Sequence, residues 1–499
     1  MLEAASLFTD GAVLCRDREI RIFGKAGDGQ MVEALLKGAG GAVLAEGKAE
    51  ARNGRFLICL PPQTARTGCT LILTSGAERL TAEDVAIGDV YLAGGQSNME
   101  LELRNALGGT EQAAEDDLLR FFNVPRKAVV NEEQQQAVRE TRWSPVTRET
   151  AGVNSAVATI FGMRMRRHHP EIPVGIIGCY WGGTSVACWM DEETLRTLTE
   201  GVRYLELDAK ACGGKTMETY LEEEKAFQQG MEDWNRKAEE YKAEHPDADG
   251  RELEKVLGVF PWNPPAGPGS PYRPCGLAES MLKEITPVAL TAVLYYQGEE
   301  DTWRTEQYDL LMTVLIRYWR KIFRYPELPF LFVQLPMWLP YDGEDTFTWA
   351  RTRLAQAAVR DSVRNTGMIC LLDEGEYGNI HPVNKRPVGE RLAELAGKML
   401  YGGGEESPRA AEKWITGDVM TVRMTQPVRT RDGEPPKLLE LAGEDGKFVP
   451  AEGEIADGML RIRAEGVTRP VSARYAWTDW SDQANLTGEN GLPLEPFLL

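Results

Sequence analysis

The residues most able to do chemistry fall in four short blocks. Tyr91-Leu92-Ala93-Gly94-Gly95-Gln96-Ser97-Asn98-Met99-Glu100 runs from an apolar, strand-like segment into a tight turn of small residues with one hydroxyl, Ser97, at its apex. A serine there projects from the carboxyl end of a strand, where open α/β sheets place their ligands. Alone, the turn reads equally well as a helix start capped by Ser97, so its partners decide. A serine hydroxyl is a weak nucleophile until a base takes its proton, and imidazole is the usual base near neutrality. Four histidines are available. His168 and His169 follow Arg164, Arg166 and Arg167 at a basic helix end, and His245 sits in the polar turn Glu244-His245-Pro246-Asp247. His381, in Gly378-Asn379-Ile380-His381-Pro382, lies just past an apolar strand and before the helical run Val388–Ala396. It is the one histidine placed to serve Ser97. Attack on an ester also needs donors for the developing oxyanion, each worth about 3 kcal/mol. Gly178-Cys179-Tyr180-Trp181-Gly182-Gly183-Thr184-Ser185 offers backbone N–H groups, and Tyr296-Gln297-Gly298-Glu299-Glu300-Asp301 offers the Gln297 amide. An ionised Glu299 cannot donate and is read as holding its loop together.

These blocks need a sheet to hold them. From about 87 to 406, apolar runs at 89–93, 174–178, 292–296, 329–334 and 367–373 alternate with helical patterns, which predicts a mostly parallel α/β sheet; four of the five lead straight into polar or glycine-rich clusters. Residues 1–86 read as short strands of a β-sandwich-like domain, and 407–499, after Gly402-Gly403-Gly404, as a second β domain. Between the second and third strands, about 205–258, Met217, Tyr220, Phe227, Met231, Trp234 and Tyr241 recur at mostly helical steps, predicting a long amphipathic insertion packed on the main domain. Prolines 261–271 return the chain to the sheet.

The four blocks, in this order, resemble the SGNH hydrolase superfamily and, within it, the sialate O-acetylesterase-like carbohydrate acetylesterases. The match rests on Gly94–Glu100, Trp181-Gly182-Gly183-Thr184, Tyr296-Gln297-Gly298-Glu299 and Ile380-His381-Pro382 with Asn384, Lys385 and Val388–Arg391. The resemblance implies a flavodoxin-like domain with flanking β regions, and a cofactor-free, metal-independent serine esterase that removes acetyl groups from sugar hydroxyls. It implies Ser97 as nucleophile and His381 as base, with the Ser97 N–H, Gly183 N–H and Gln297 amide as oxyanion hole. Gln96, Glu299, Trp303 and Arg104 are expected to bind substrate. The superfamily commonly has an aspartate three residues before the histidine, where this chain has Gly378. Glu376 is the favoured acid; Asp373, or a backbone carbonyl in a dyad, is the alternative, since losing the acid can cost less than losing serine or histidine.

Other classes fit less well. Ala209–Thr216 matches a relaxed phosphate-loop pattern but follows a polar segment where that motif needs a buried strand. Ser185 lacks a complete Gly-x-Ser-x-Gly elbow because of Ala187. A non-catalytic glycan-binding protein would have no use for the Ser97–His381 pair. The net charge of −20 argues against nucleic acid and anionic membranes as partners. No Cys-x-x-Cys or His-Glu-x-x-His pattern occurs, and the eight scattered cysteines read as reduced core thiols. With no basic segment followed by an apolar core at the start, a cytoplasmic protein is expected; homo-oligomerisation is compatible with the sequence. The glycan is open between sialic acid, which would need a cation such as Arg104, Arg273 or Arg351 for its carboxylate, and acetylated xylan, mannan or xyloglucan fragments, with Trp303 and Trp338 as sugar platforms.

Overall fold

One strand of 18 residues, Glu78–Gly95, organises the fold. The structure, a computed structural model, describes residues 1–499. From Asp89 onward the strand lies at the centre of a parallel sheet, between Val174–Tyr180 and Ala292–Tyr296. Asp116–Asn123 extends the sheet on one side, and Phe330–Val333 and Thr366–Ile369 extend it on the other, all parallel. The short Ser144–Val146 adds an antiparallel edge. Parallel strands covered on both faces become continuous apolar runs; Val174–Tyr180 and Ala292–Tyr296 are buried at every residue. The five strands expected of this region are present. Asp116–Asn123 is an addition, because Asp116, Asp117 and Arg120 interrupt its apolar run. Arg120 is nonetheless buried, its guanidinium satisfied by the Asp84 carboxylate and the Gly11 and Asp84 carbonyls.

The first half of the same strand belongs to the N-terminal β region. It pairs antiparallel with Arg66–Ser75, which pairs with Met31–Lys37, which pairs with Val43–Glu50. A second small sheet joins Glu3–Ala4, Ile20–Lys25 and Arg55–Leu60. A single hydrophobic core runs from Val32, Leu36 and Ile58 through Val85 and Val90 to Trp319 and Phe330. Residues 86 and 87 therefore sit inside one strand and one core.

The C-terminal region forms two four-stranded antiparallel sheets and a two-stranded ribbon. Its core takes in Met337, Cys370 and Leu372 from the central region. Two carboxylates key it in place. Asp479 accepts the Trp349 and Ala350 N–H groups at 2.9 and 3.0 Å, capping the helix Thr348–Ser362, and buried Glu495 pairs with Arg360 at 2.5 Å.

The insertion is three helices, Thr199–Cys212, Met217–Glu244 and Gly250–Leu257. Gly213, at φ +55°, ends the first, and the Thr216 hydroxyl accepts the Thr219 N–H to begin the second. The phosphate-loop pattern is thus a turn between helices, with Lys215 paired to Glu223 at 2.6 Å. No helix is long and apolar enough to cross a membrane.

The end of the organising strand tolerates no side chain. Gly95 has φ +129°, and a Cβ there would stand 2.0 Å from the Tyr296 carbonyl oxygen. Gly95→Ala is expected to destabilise the protein by at least about 2 kcal/mol, read as a lower midpoint in chemical denaturation; an unchanged midpoint would show that the strand ends relax without loss.

Candidate active site

The four blocks converge at the carboxyl edge of the sheet. Past Gly95 the chain turns at Gln96, whose N–H donates to the Tyr296 carbonyl at 3.0 Å, and the Trp181 N–H donates to the Gly95 carbonyl at 3.1 Å. Three neighbouring strand ends are thereby stitched together. Ser97 begins the short helix Ser97–Glu100, and its Oγ lies 2.8 Å from His381 Nε2. Both residues are partly exposed. A hydroxyl in hydrogen-bond contact with an imidazole has the geometry that a nucleophile and its base require.

No carboxylate reaches that imidazole. Glu376 accepts from Asn379 Nδ2 at 2.8 Å and from the Val383 N–H at 2.9 Å, while Asn379 Oδ1 accepts the His381 N–H at 3.0 Å. Glu376 therefore shapes the histidine loop and does not serve as the acid of a triad. Asp373 is taken by Arg391, with contacts of 2.8 and 2.7 Å. Ser97 and His381 stand as a hydrogen-bonded pair with no carboxylate on the ring. Burial, and then the nearby Lys385 ammonium, lower the His381 pKa to about 4.

Asn98 supplies the positioning that the acid does not. Fully buried, it donates through Nδ2 to Glu299 Oε1 at 2.6 Å and to the Ile380 carbonyl at 3.0 Å, and its Oδ1 accepts from Lys385 Nζ at 2.5 Å. Burial pushes the Lys385 ammonium down to about 8, against the pull of Glu299 and Glu376, and burial raises Glu299. Asn98 and Lys385 stand within the motifs, but only their placement beneath the site reveals what they do. Glu299, expected to touch substrate, lies instead in this buried network. Gln96 is also buried, its Oε1 accepting the Gly298 and Glu300 N–H groups at 3.3 and 3.2 Å, so it shapes the neighbouring loop.

The oxyanion-hole expectation needs one correction. Gln297 is buried, and its Nε2 donates to Asp301 at 2.5 Å and to the Thr184 carbonyl at 3.3 Å, with its Oε1 accepting from the Tyr308 hydroxyl at 3.0 Å. Its amide hydrogens are spent on the Thr184 carbonyl and on Asp301, a buried side chain that also takes the Val186 N–H at 3.0 Å and the Tyr204 hydroxyl. Gln297 thus buckles two loops together and does not face an oxyanion. Backbone donors remain. The Ser97 N–H stands in the first turn of its helix, where N–H groups lack intrahelical acceptors. Gly182 is adjacent, since a Cβ there would lie 3.2 Å from that of Ser97, but its N–H is held by Glu100, which also pairs with Arg126. Gly183, at φ +71°, follows at the same turn, and its N–H makes no hydrogen bond within the protein.

The insertion roofs this site. A Cβ on Gly183 would meet the Trp262 ring at 2.5 Å. Trp262, about half exposed, packs edge-on against Phe227 of the long helix and against Tyr272. At the other side Tyr341 lies between Gly378 of the histidine loop and Gly250 of the insertion, and Arg251 pairs with Asp342 at 2.8 Å. Trp262 escapes the sequence reading because it sits in a proline-rich return loop. Of the aromatic candidates, Trp303 is exposed, with the Arg304 guanidinium 3.7 Å over its ring, whereas Trp338 packs 4.8 Å from Trp349 against the core. Arg104 is committed to Glu102 at 2.6 Å and Arg273 to Glu279 at 3.2 Å. Arg351 is exposed. No group of three or more His, Cys, Asp or Glu side chains is placed to hold a metal ion.

The family model described as carbohydrate esterase, sialic acid-specific acetylesterase, matches residues 87–246 and 267–396, more than half of the chain. Sialate O-acetylesterase of Mus musculus is 25% identical over 458 residues, covering 84% of this chain and 78% of its own. The Rattus norvegicus protein of the same name is 24% identical, covering 80% and 74%. A crystal structure of a carbohydrate acetylesterase from Xanthomonas citri superposes with a TM-score of 0.76 at 25% identity, covering 100% of this chain and 99% of that one.

The His381 environment has a direct signature. Its imidazole should titrate near pH 4 by NMR, far below an ordinary histidine, and Lys385→Met should raise that value by removing the neighbouring cation. Titration near 6.5 in the unaltered protein would contradict the burial described here.

Proposed function

The chain belongs to the carbohydrate esterase family of sialic acid-specific acetylesterases, and from that membership we propose that it hydrolyses O-acetyl esters of sugars, with sialic acid as the favoured sugar and Ser97 and His381 as the reacting pair. The observation that carries the mechanism is the 2.8 Å contact between Ser97 Oγ and His381 Nε2 at the rim where four chain segments meet. In the first half-reaction Ser97 Oγ attacks the acetyl carbonyl carbon while His381 Nε2 takes the hydroxyl proton. The oxyanion is held by the Ser97 and Gly183 N–H groups, each worth about 3 kcal/mol. As the intermediate collapses, the imidazolium gives its proton to the departing sugar oxygen, leaving an acetyl-serine. Water then repeats the sequence, with His381 again as base, and acetate leaves. The backbone around the histidine is held by Asn379, which accepts the His381 N–H, and by Asn98, which donates to the Ile380 carbonyl, with no carboxylate on the ring.

Trp262 supports the sugar specificity. Its exposed ring face beside Gly183 suits the apolar face of a pyranose. A cavity of about 520 Å³ lined by Glu100, Asn123, Arg126 and Tyr180 adds polar groups next to Gly182.

The test is acetate release from O-acetylated sialic acid and from an acetylated xylo-oligosaccharide, together with hydrolysis of an aryl acetate, in the presence of chelator. Ser97→Ala and His381→Ala should each lower kcat by roughly 10⁴-fold or more, whereas Glu376→Gln should stay within about tenfold. Full activity of Ser97→Ala would overturn the mechanism. Because the neutral imidazole is the base, kcat/KM should hold from neutrality to about pH 5 and fall as pH drops through about 4. Trp262→Ala should raise KM for the preferred acetylated sugar by about tenfold and leave aryl acetate hydrolysis nearly unchanged; an equal loss on both substrates would assign Trp262 to the fold.

A further inference from the structure

A cavity of about 740 Å³ lies at the other end of the organising strand. Leu80 and Thr81, near the start of Glu78–Gly95, line it, so about 45 Å of strand separates it from Ser97. The N-terminal β region, the helix Glu132–Glu140 and the segment around Lys283–Pro287 enclose it. Its wall is partly apolar, with Phe23, Leu57 and Leu80 reaching the surface and Leu2, Phe8 and Phe56 buried behind them. Around these stand six cations, Lys25, Arg55, Arg139, Arg142, Lys283 and Arg324, against three carboxylates, Glu3, Asp10 and Glu284. Two of the three carboxylates are already engaged: Asp10 accepts the Glu83 N–H at 2.7 Å, and Glu284 accepts from Gln134 at 3.2 Å.

None of the six cations is ion-paired. Arg142 donates to the backbone carbonyls of Arg139 and Thr141, and the other five side chains make no hydrogen bond within the protein. Four arginines elsewhere show what pairing looks like in this chain: Arg16 with Asp89, Arg166 with Asp116, Arg360 with Glu495 and Arg391 with Asp373. In a chain of net charge −20, unmatched cations gathered round a concave, partly aromatic surface repel one another until an anion enters. The cations come from separate segments around the rim, which suits several negative charges spread along a ligand better than one phosphate. The apolar wall of Phe23, Leu57 and Leu80 suits the apolar faces of sugar rings.

We propose that this cavity binds an acidic oligosaccharide, its carboxylates met by the rim arginines and lysines and its ring faces resting on Phe23, Leu57 and Leu80. The site is separate from Ser97 and holds whatever reaction occurs there. The test is calorimetric titration of the full-length Ser97→Ala protein with a hexamer of galacturonic acid and with an unacetylated α2,8-linked tetramer of sialic acid; cellohexaose and an acidic poly-glutamate peptide are the comparisons. At least one acidic sugar should bind and cellohexaose should not. Raising the salt from about 50 to about 500 mM should weaken binding. Replacing Arg55, Arg139 and Arg324 together by serine should weaken it by at least about tenfold, and Arg139→Gln alone should weaken it by a few fold, keeping the test open if the triple variant folds poorly. With Ser97 intact, the triple variant should hydrolyse the aryl acetate as the unaltered protein does. Absence of binding by both acidic sugars, binding indifferent to these substitutions, or tighter binding of the peptide would each overturn the proposal.

Discussion

A single buried amide anchors the reacting pair. Asn98 follows Ser97 directly in sequence, and its side chain reaches Glu299, Lys385 and the carbonyl of Ile380. Those partners lie in the loop after the strand Ala292–Tyr296 and in the segment carrying His381. The amide is suited to this because it donates to a carboxylate and accepts from an ammonium at once, bridging two charges whose burial would otherwise be costly. Ser97 and His381 are thereby referenced to one point. Disturbing that point acts on both loops at once.

How much of this was legible depended on whether neighbours in sequence were neighbours in space. Ser97 was legible because an apolar strand leads into a small-residue turn, and His381 because the other three histidines lie in polar surface segments. The choice among polar residues within a block was not. In Gln297-Gly298-Glu299-Glu300-Asp301 the pattern gives no sign that Asp301 turns inward and captures the Gln297 amide. Glu376 misled for a similar reason: it is close to His381 along the chain, yet its oxygens are taken by Asn379 and Val383. The parallel sheet was readable from buried apolar runs. The length of its central strand was not, because Thr81, Glu83 and Asp84 make the middle of an 18-residue strand look like a linker.

The insertion changes meaning once its contacts are known. From sequence it is an amphipathic addition at a distance from the chemistry. In the structure its aromatic stripe holds a proline-rich segment whose Trp262 lies against Gly183, and its last helix touches the loop that carries His381 through Tyr341. The same segment thus bears on both sides of the reacting pair. Its charged outer face is compatible with this, since only the stripe toward the protein is asked to pack.

The continuity of Glu78–Gly95 also limits how this architecture can be recombined. A module that joins its neighbour through a flexible tether can be cut away or exchanged, but here the N-terminal β region and the nucleophile's turn are two ends of one hydrogen-bonded rod. Severing the chain near residue 86 would leave a frayed half-strand in the middle of the parallel sheet, with the serine turn at its tip. The C-terminal region is fastened differently, through side chains such as Asp479 and Glu495 docking onto the helix Thr348–Ser362. Exchange by grafting is therefore open at the C-terminal side of the molecule and closed at the other, where the accessory region and the reactive serine must be inherited together.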